Sequence, residues 1–133
     1  MRIEIGDFII KTYGPNALFD ITKEISSFLS RAKAIRGLLL ISVMGSTGSL
    51  VLIPPEQVDP IKNNELWALV PVNAEWKHEG NAYAHLRSTV LGTSITVPIR
   101  NGKPVLGRHR IYFIENQCYM ARERHFYLVY IGE

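Results

Sequence analysis

Cysteine is the first scarcity in this chain of 133 residues, which holds only Cys118. A lone thiol forms no intramolecular disulfide and no thiolate metal cluster within one chain, and its simplest setting is a reducing, cytoplasmic one. Long hydrophobic runs are missing too. The longest, residues 37–44, has the length of a buried strand and falls far short of the roughly 18 apolar residues that span a bilayer, so no membrane partner is expected. The alternation at Met1-Arg2-Ile3-Glu4-Ile5 reads as structure, not as a signal peptide. Charge of one sign is also sparse: 15 basic against 12 acidic side chains leave +3, interspersed along most of the chain. Nucleic acid is therefore not an expected partner. Tyr112, Phe113, Phe126, Tyr127 and Tyr130 have no matching basic stripe and fit strand packing rather than base stacking. A Gly-x-Ser-x-Gly elbow is absent, which leaves a hydrolase triad without support.

What is present is the composition of one folded domain spanning residues 1–133, at 47% apolar. Residues 2–13 alternate as one strand or as a pair bent at Gly6-Asp7, and Tyr13-Gly14-Pro15-Asn16 is turn chemistry. Ile21, Ile25, Phe28, Leu29 and Ala32 recur at helical spacing, with Asp20 or Thr22 placed to cap the first turn and Gly37 to end the segment. Residues 37–44 read as a strand buried on both faces and 49–53 as its continuation after a small-residue loop, implying a hairpin or a bent pair. Pro54-Pro55 stops it. Asp59-Pro60 with Ile61, Leu66, Ala68 and Leu69 suggests a second helix. Ala82, Leu86 and Val90 form one stripe of a short helix or turn, followed by a strand over 93–100. Asn101-Gly102 is a hairpin signal leading into residues 104–115, and 120–131 alternate as a final long strand. Two or three helices among about seven strands, hairpin-rich toward the C-terminus, predict an α+β domain on mostly antiparallel sheet.

The candidate site residues gather late in the chain. His78 and His85 flank Asn81 and suit a divalent metal, with Glu79 near enough to fix a tautomer and His109 as the candidate third ligand. The same pair also reads as ordinary polar contacts, the simpler of the two readings, since seven-residue spacing is no metal motif. Asn81 orients a substrate or caps the segment after it. Residues 45–49, Gly-Ser-Thr-Gly-Ser, form either an anion nest that lacks the Lys of a phosphate loop or a tight connection using glycine conformations. Arg108-His109-Arg110 and Arg122-Glu123-Arg124-His125 would, on neighbouring strands, hold a small phosphate or carboxylate; alternatively they are solvated strand edges.

Asn81-Ala82-Tyr83-Ala84-His85-Leu86, Leu91-Gly92-Thr93-Ser94, Pro98 and the Gly102 hairpin running to Leu106-Gly107 together resemble the YjbQ family of secondary thiamine-phosphate synthase enzymes. Asp20-Ile21-Thr22, Asp59-Pro60, Pro71 and His78 extend the likeness over nearly the whole chain. The resemblance implies a β-sandwich of about seven strands with helices on its faces, assembled as a homotrimer around a threefold axis. It also implies a site in which His78, Asn81 and His85 do the acid–base or metal chemistry and Thr47, Arg108 and Arg124 hold a small anionic ligand. The departures from the family are local. Gly45-Ser46-Thr47-Gly48 stands where the family has His-Thr-Thr-Ala, Glu56 is the stand-in for its Asn-Glu, and Gly107-Arg108-His109-Arg110 replaces Gly-Thr-Trp-Gln. Only Arg122 and Arg124 remain of its Gly-Pro-Arg segment. These losses predict a transferase site whose family activity is weak or gone, or a non-catalytic trimeric binding or structural protein on the same fold.

Overall fold

The computed structural model describes residues 1–71, 82–117 and 120–133. Strand β1 (Arg2–Thr12) runs unbroken, and β2 (Ala17–Asp20) follows the first turn. Gly6 does not bend β1. It sits beneath the Phe28 ring, where an added Cβ would come within 2.5 Å of the ring edge. Helix α1 (Thr22–Arg31) buries Ile25, Phe28 and Leu29, each worth about 1.5–3 kcal/mol of apolar burial. Its first turn is tied down as the sequence suggests, with Thr22 N–H donating to Asp20 Oδ1 at 2.9 Å. Thr22 takes a different role: its Oγ1 accepts from Ile111 N–H at 3.0 Å and fastens the helix to the sheet behind. The helix stops at Arg31, before Gly37, because Lys33 turns to φ 53 and ends it.

Strand β3 (Arg36–Val43) and strand β4 (Gly48–Ile53) follow. A helical stretch over 55–69, labelled α2, contains a π-helical turn at Ile61–Glu65. Helix α3 is Ala82–Leu91. The remaining strands are β5 (Ser94–Arg100), β6 (Lys103–Pro104), β7 (Arg110–Glu115) and β8 (Arg122–Gly132). Asn101 and Gly102 both have positive φ, at 54° and 76°, as the hairpin between β5 and β6 requires. No helix among the described residues is long and apolar enough to cross a membrane.

All strand pairs are antiparallel, in a five-stranded sheet of order β1-β8-β3-β5-β6 and a three-stranded sheet of order β2-β7-β4. The fold is α+β, with eight strands among the described residues where about seven were expected. Two connections depart from the sequence reading. Strands β3 and β4 form neither a hairpin nor a continuous strand, because the loop between them crosses from one sheet to the other. Likewise β7 and β8 are not neighbours, so the two basic clusters at 108–110 and 122–125 do not face each other across a ladder.

The inner face of the larger sheet is covered by α1 and the smaller sheet, and Phe113 of β7 meets Phe126 of β8 edge-on at 5.2 Å. The outer face has no cover among the described residues. Ile3, Ile5 and Ile9 of β1, Leu38 and Leu40 of β3, and Tyr127 and Ile131 of β8 are exposed there. Residues 37–44 are thus buried on one face only, since Leu39, Ile41 and Val43 point inward while Leu38 and Leu40 alternate outward.

Candidate functional site

At one end of the sandwich the β3–β4 loop, the end of β7 and the start of β8 converge on a buried ion pair. Strand alternation sends Arg124 inward beside Phe126, and Glu115 ends a strand whose residues from Ile111 onward are all buried. Arg124 Nε donates to Glu115 Oε1 at 2.7 Å and Nη2 to Glu115 Oε2 at 2.5 Å. Nη2 also donates to Thr47 Oγ1 at 2.6 Å. The carboxylate is saturated: Thr12 Oγ1 donates to Oε1 at 2.6 Å and Gln117 N–H to Oε2 at 3.2 Å. With four donors on two oxygens, Glu115 has no lone pair left to act as a base and serves as counterion.

The guanidinium keeps one edge in reserve. Nη1 makes no hydrogen bond among the described residues and lies against Gly45, where a Cβ would sit 2.7 Å from it. Gly45 has φ 108°, so both its conformation and its lack of a side chain keep that approach open. Asn116 flanks the centre. Its N–H donates to Thr47 O at 3.1 Å and its Nδ2 to Ser49 Oγ at 3.2 Å, while its buried Oδ1 has no partner among the described residues. Ser88 Oγ on α3 donates to Gly48 O at 2.7 Å, which docks that helix on the same loop.

The other sequence candidates are dispersed. His78 and Asn81 lie outside the described residues. His85 is half-buried on α3, one turn before Ser88. His109 sits elsewhere, on the β6–β7 loop, where it lines a cavity against α1 that His85 does not share. Among the described residues no group of three His, Cys, Asp or Glu side chains is placed to hold a metal ion. The four arginines do not line one pocket. Arg108 pairs with Glu56 on the surface, Arg110 pairs with Asp20, Arg122 is exposed at the start of β8, and only Arg124 meets Thr47. Burial alone would raise the Asp20 carboxyl, but hydrogen bonds from Thr22 and Arg110 outweigh it and hold the group below its ordinary 3.8.

The sequence reading overlooked Arg87. Fully buried, it donates from Nε and Nη2 to Val70 O at 3.0 and 2.7 Å and from Nη1 to Asn16 Oδ1. The rings of Trp67 and Tyr83 lie 4.7 and 5.2 Å from its guanidinium carbon. Burial pushes the guanidinium below its ordinary value, which the nearby Tyr83 partly offsets. It clamps α3 to the end of α2 and to the first turn. An aromatic four residues before an arginine on a helix was the available signal. Glu115, Thr12 and Asn116 carried no such signal.

A family model described as UPF0047 protein YjbQ-like matches residues 7–133. The chain belongs to the YjbQ/UPF0047 family. Among its relatives in this family is the UPF0047 protein MJ1081 of Methanocaldococcus jannaschii, 38% identical over 130 residues, covering 93% of this chain and 91% of that one. The UPF0047 protein YugU of Bacillus subtilis is 31% identical over 113 residues, covering 80% and 84%. A YbjQ-like protein of unknown function from Sulfolobus solfataricus shares the fold with a TM-score of 0.87 and 26% identity, covering 99% of this chain and 100% of its own. A hypothetical protein from Aeropyrum pernix also reaches 0.87, at 31% identity, with 98% and 99% covered.

Proposed function

We propose that this YjbQ-family chain binds a small phosphorylated or otherwise anionic ligand at the Thr47–Arg124 end of the sandwich, with thiamine-phosphate synthase activity weak or lost. The observation that carries the reading is the Nη1 edge of Arg124 over Gly45, uncommitted among the described residues. Two N–H donors of a fixed cation, approached across a residue without a side chain, suit an oxyanion. Thr47 and Glu115 fix the guanidinium plane, so the ligand meets a preorganised edge. His85 stands on the helix docked to this loop, and with His78 and Asn81 it would supply proton transfer or a divalent-metal ligand set. Weak activity follows from two features. Gly45 brings no imidazole where the family resemblance places one, and Glu115 is saturated and takes no proton from a substrate. Arg108, exposed and paired with Glu56, stays out of this ligand's reach in the proposal.

Inorganic phosphate titrated by calorimetry is expected to bind the wild type. Arg124→Lys keeps the charge but loses the planar fork, and should weaken binding by about tenfold, one charge-assisted hydrogen bond being worth about 1.5–3 kcal/mol. Thr47→Val, which removes one of the contacts that fix the guanidinium plane, should weaken it as well. No heat in the wild type, or equal affinity in all three proteins, sinks the site. Turnover of thiamine-phosphate precursors at a substantial rate would overturn the loss of family activity.

The second reading is a non-catalytic trimer, and the exposed apolar outer face of the five-stranded sheet favours assembly in either case. In the proposed homotrimer that face packs between copies.

A further inference from the structure

A cavity that shares no lining residue with the Thr47–Arg124 centre lies between α1, the β5–β6 hairpin and the β6–β7 loop. Its volume is about 630 Å³, within the range of roughly 300–1,000 Å³ typical of small-molecule sites. Its walls are of two kinds. Leu29, Ala34, Pro104 and Leu106 give an apolar side, while Ser26, Ser30, Lys33, Lys103, His109 and Arg110 give a polar one. Among the described residues no carboxylate lines it. Asp20, bonded to Arg110, partly neutralises that one cation and leaves the two lysines uncompensated in the lining.

The position of Lys33 argues that its side chain is kept for use. It ends α1 in the left-handed conformation, at φ 53, a place where glycine is ordinarily favoured and a long side chain is strained. An outlier of this kind, observed first, points to a function for the group it presents. The ammonium is not needed to satisfy the helix terminus. Phe28 O accepts from Ala32 N–H, Ser30 O from Lys33 N–H and Leu29 O from Ala34 N–H, all within the backbone. Across the cavity the hairpin turn at Asn101-Gly102 is held to α1's exit by Gly102 N–H donating to Ile35 O at 2.9 Å, so Lys103 is presented from a fixed turn. Gly107, at φ 60, has nothing within 4 Å of the place its Cβ would occupy, which leaves the mouth open on that side.

We infer that this cavity binds a small amphipathic anion, an organic phosphate or carboxylate whose charged group meets Lys33 and Lys103 and whose apolar body lies on Leu29 and Leu106. The serines of α1 add hydroxyl donors, and His109 lies at the polar wall. The site is independent of the Thr47–Arg124 reading and survives its failure.

The probe is 1-naphthyl phosphate, followed by calorimetry and amide chemical shifts, with 1-naphthol and inorganic phosphate as the two half-ligands. It should bind at least tenfold tighter than either half and shift the amides of Ser26, Ser30, Gly102 and Gly107. Lys33→Gly should weaken binding about tenfold or more while the melting temperature holds or rises, because glycine relieves the left-handed strain. That combination separates a ligand contact from a structural one. Lys103→Ala should weaken binding similarly. Thr47→Val, which weakens the other centre, should leave this affinity unchanged. Absence of binding, equal affinity in wild type and Lys33→Gly, equal binding of 1-naphthol, or loss in Thr47→Val with retention in Lys33→Gly each overturns the inference.

Discussion

Arg124 shows what one side chain's partners decide. A buried charge stripped of its counterion is costly, whereas a neutral pair in the same place is tolerated. Arg124→Met alone should therefore destabilise the fold by about 3–5 kcal/mol, because it strands the Glu115 carboxylate at zero exposure. Adding Glu115→Gln, which keeps acceptors for Thr12 and Gln117, should recover a large part of that loss. Urea unfolding of the two single variants and the double variant measures the coupling; strictly additive effects would show that the two groups act independently. Arg124 was legible from sequence as a candidate and Glu115 was not. The alternation of 122–132 marks Arg124 as one of two parities, but β7 is buried on both faces from Ile111 to Glu115 and carries no parity from which to read a carboxylate's direction.

Asp20 joins three elements, ending β2, holding the first turn of α1 and pairing with Arg110 of β7. Its carboxyl is held below its ordinary value, so the charge stabilises the joint at neutral pH. That contribution is present above 3.8 and disappears as pH falls through the lower, folded value. Asp20→Asn keeps an oxygen for Thr22 N–H but loses the pairing. Melting temperatures of wild type and Asp20→Asn should differ at neutral pH and converge below 3.8; a gap unchanged into strong acid would show that the charge adds nothing. Elements were legible where a period had room to repeat, as in α1, β1 and β8. Strand β2 has four residues, too few for alternation. The expected stripe of α3 held at Ala82 but not beyond, because the helix buries Ala82, Tyr83, Ala84, Arg87 and Ser88 and leaves Leu86 and Val90 exposed. A buried arginine between two rings defeats a reading that counts apolar residues alone. The β3–β4 loop was read for its glycines, yet β4's choice of β7 as partner is a pairing between distant segments that no local pattern encodes.

For the whole molecule, the outer face of the five-stranded sheet is the feature that asks for a second copy. Single exposed apolar residues are ordinary, but here they adjoin across three strands, with Ile131 opposite both Ile3 and Leu38 in the ladder. Within that face His125 bonds Asp7 at 2.5 Å and stacks on Tyr127, so a polar contact breaks the apolar surface and would fix orientation more than affinity. Leu40→Glu, half-exposed and central, should convert the proposed trimer to monomers in light scattering without lowering helix or sheet content. A wild type that runs as a monomer at micromolar concentration would remove the assembly. The strand order has a further bearing, on the birth of the molecule. Strand β8 lies between β1 and β3 and follows the other described strands in sequence. A ribosome therefore releases β1 and β3 long before the strand that both await. Strands β3, β5 and β6 can pair as they emerge, but until β8 follows them the isoleucine-rich β1 has no native partner in the sheet, which makes it the segment a chaperone would need to guard.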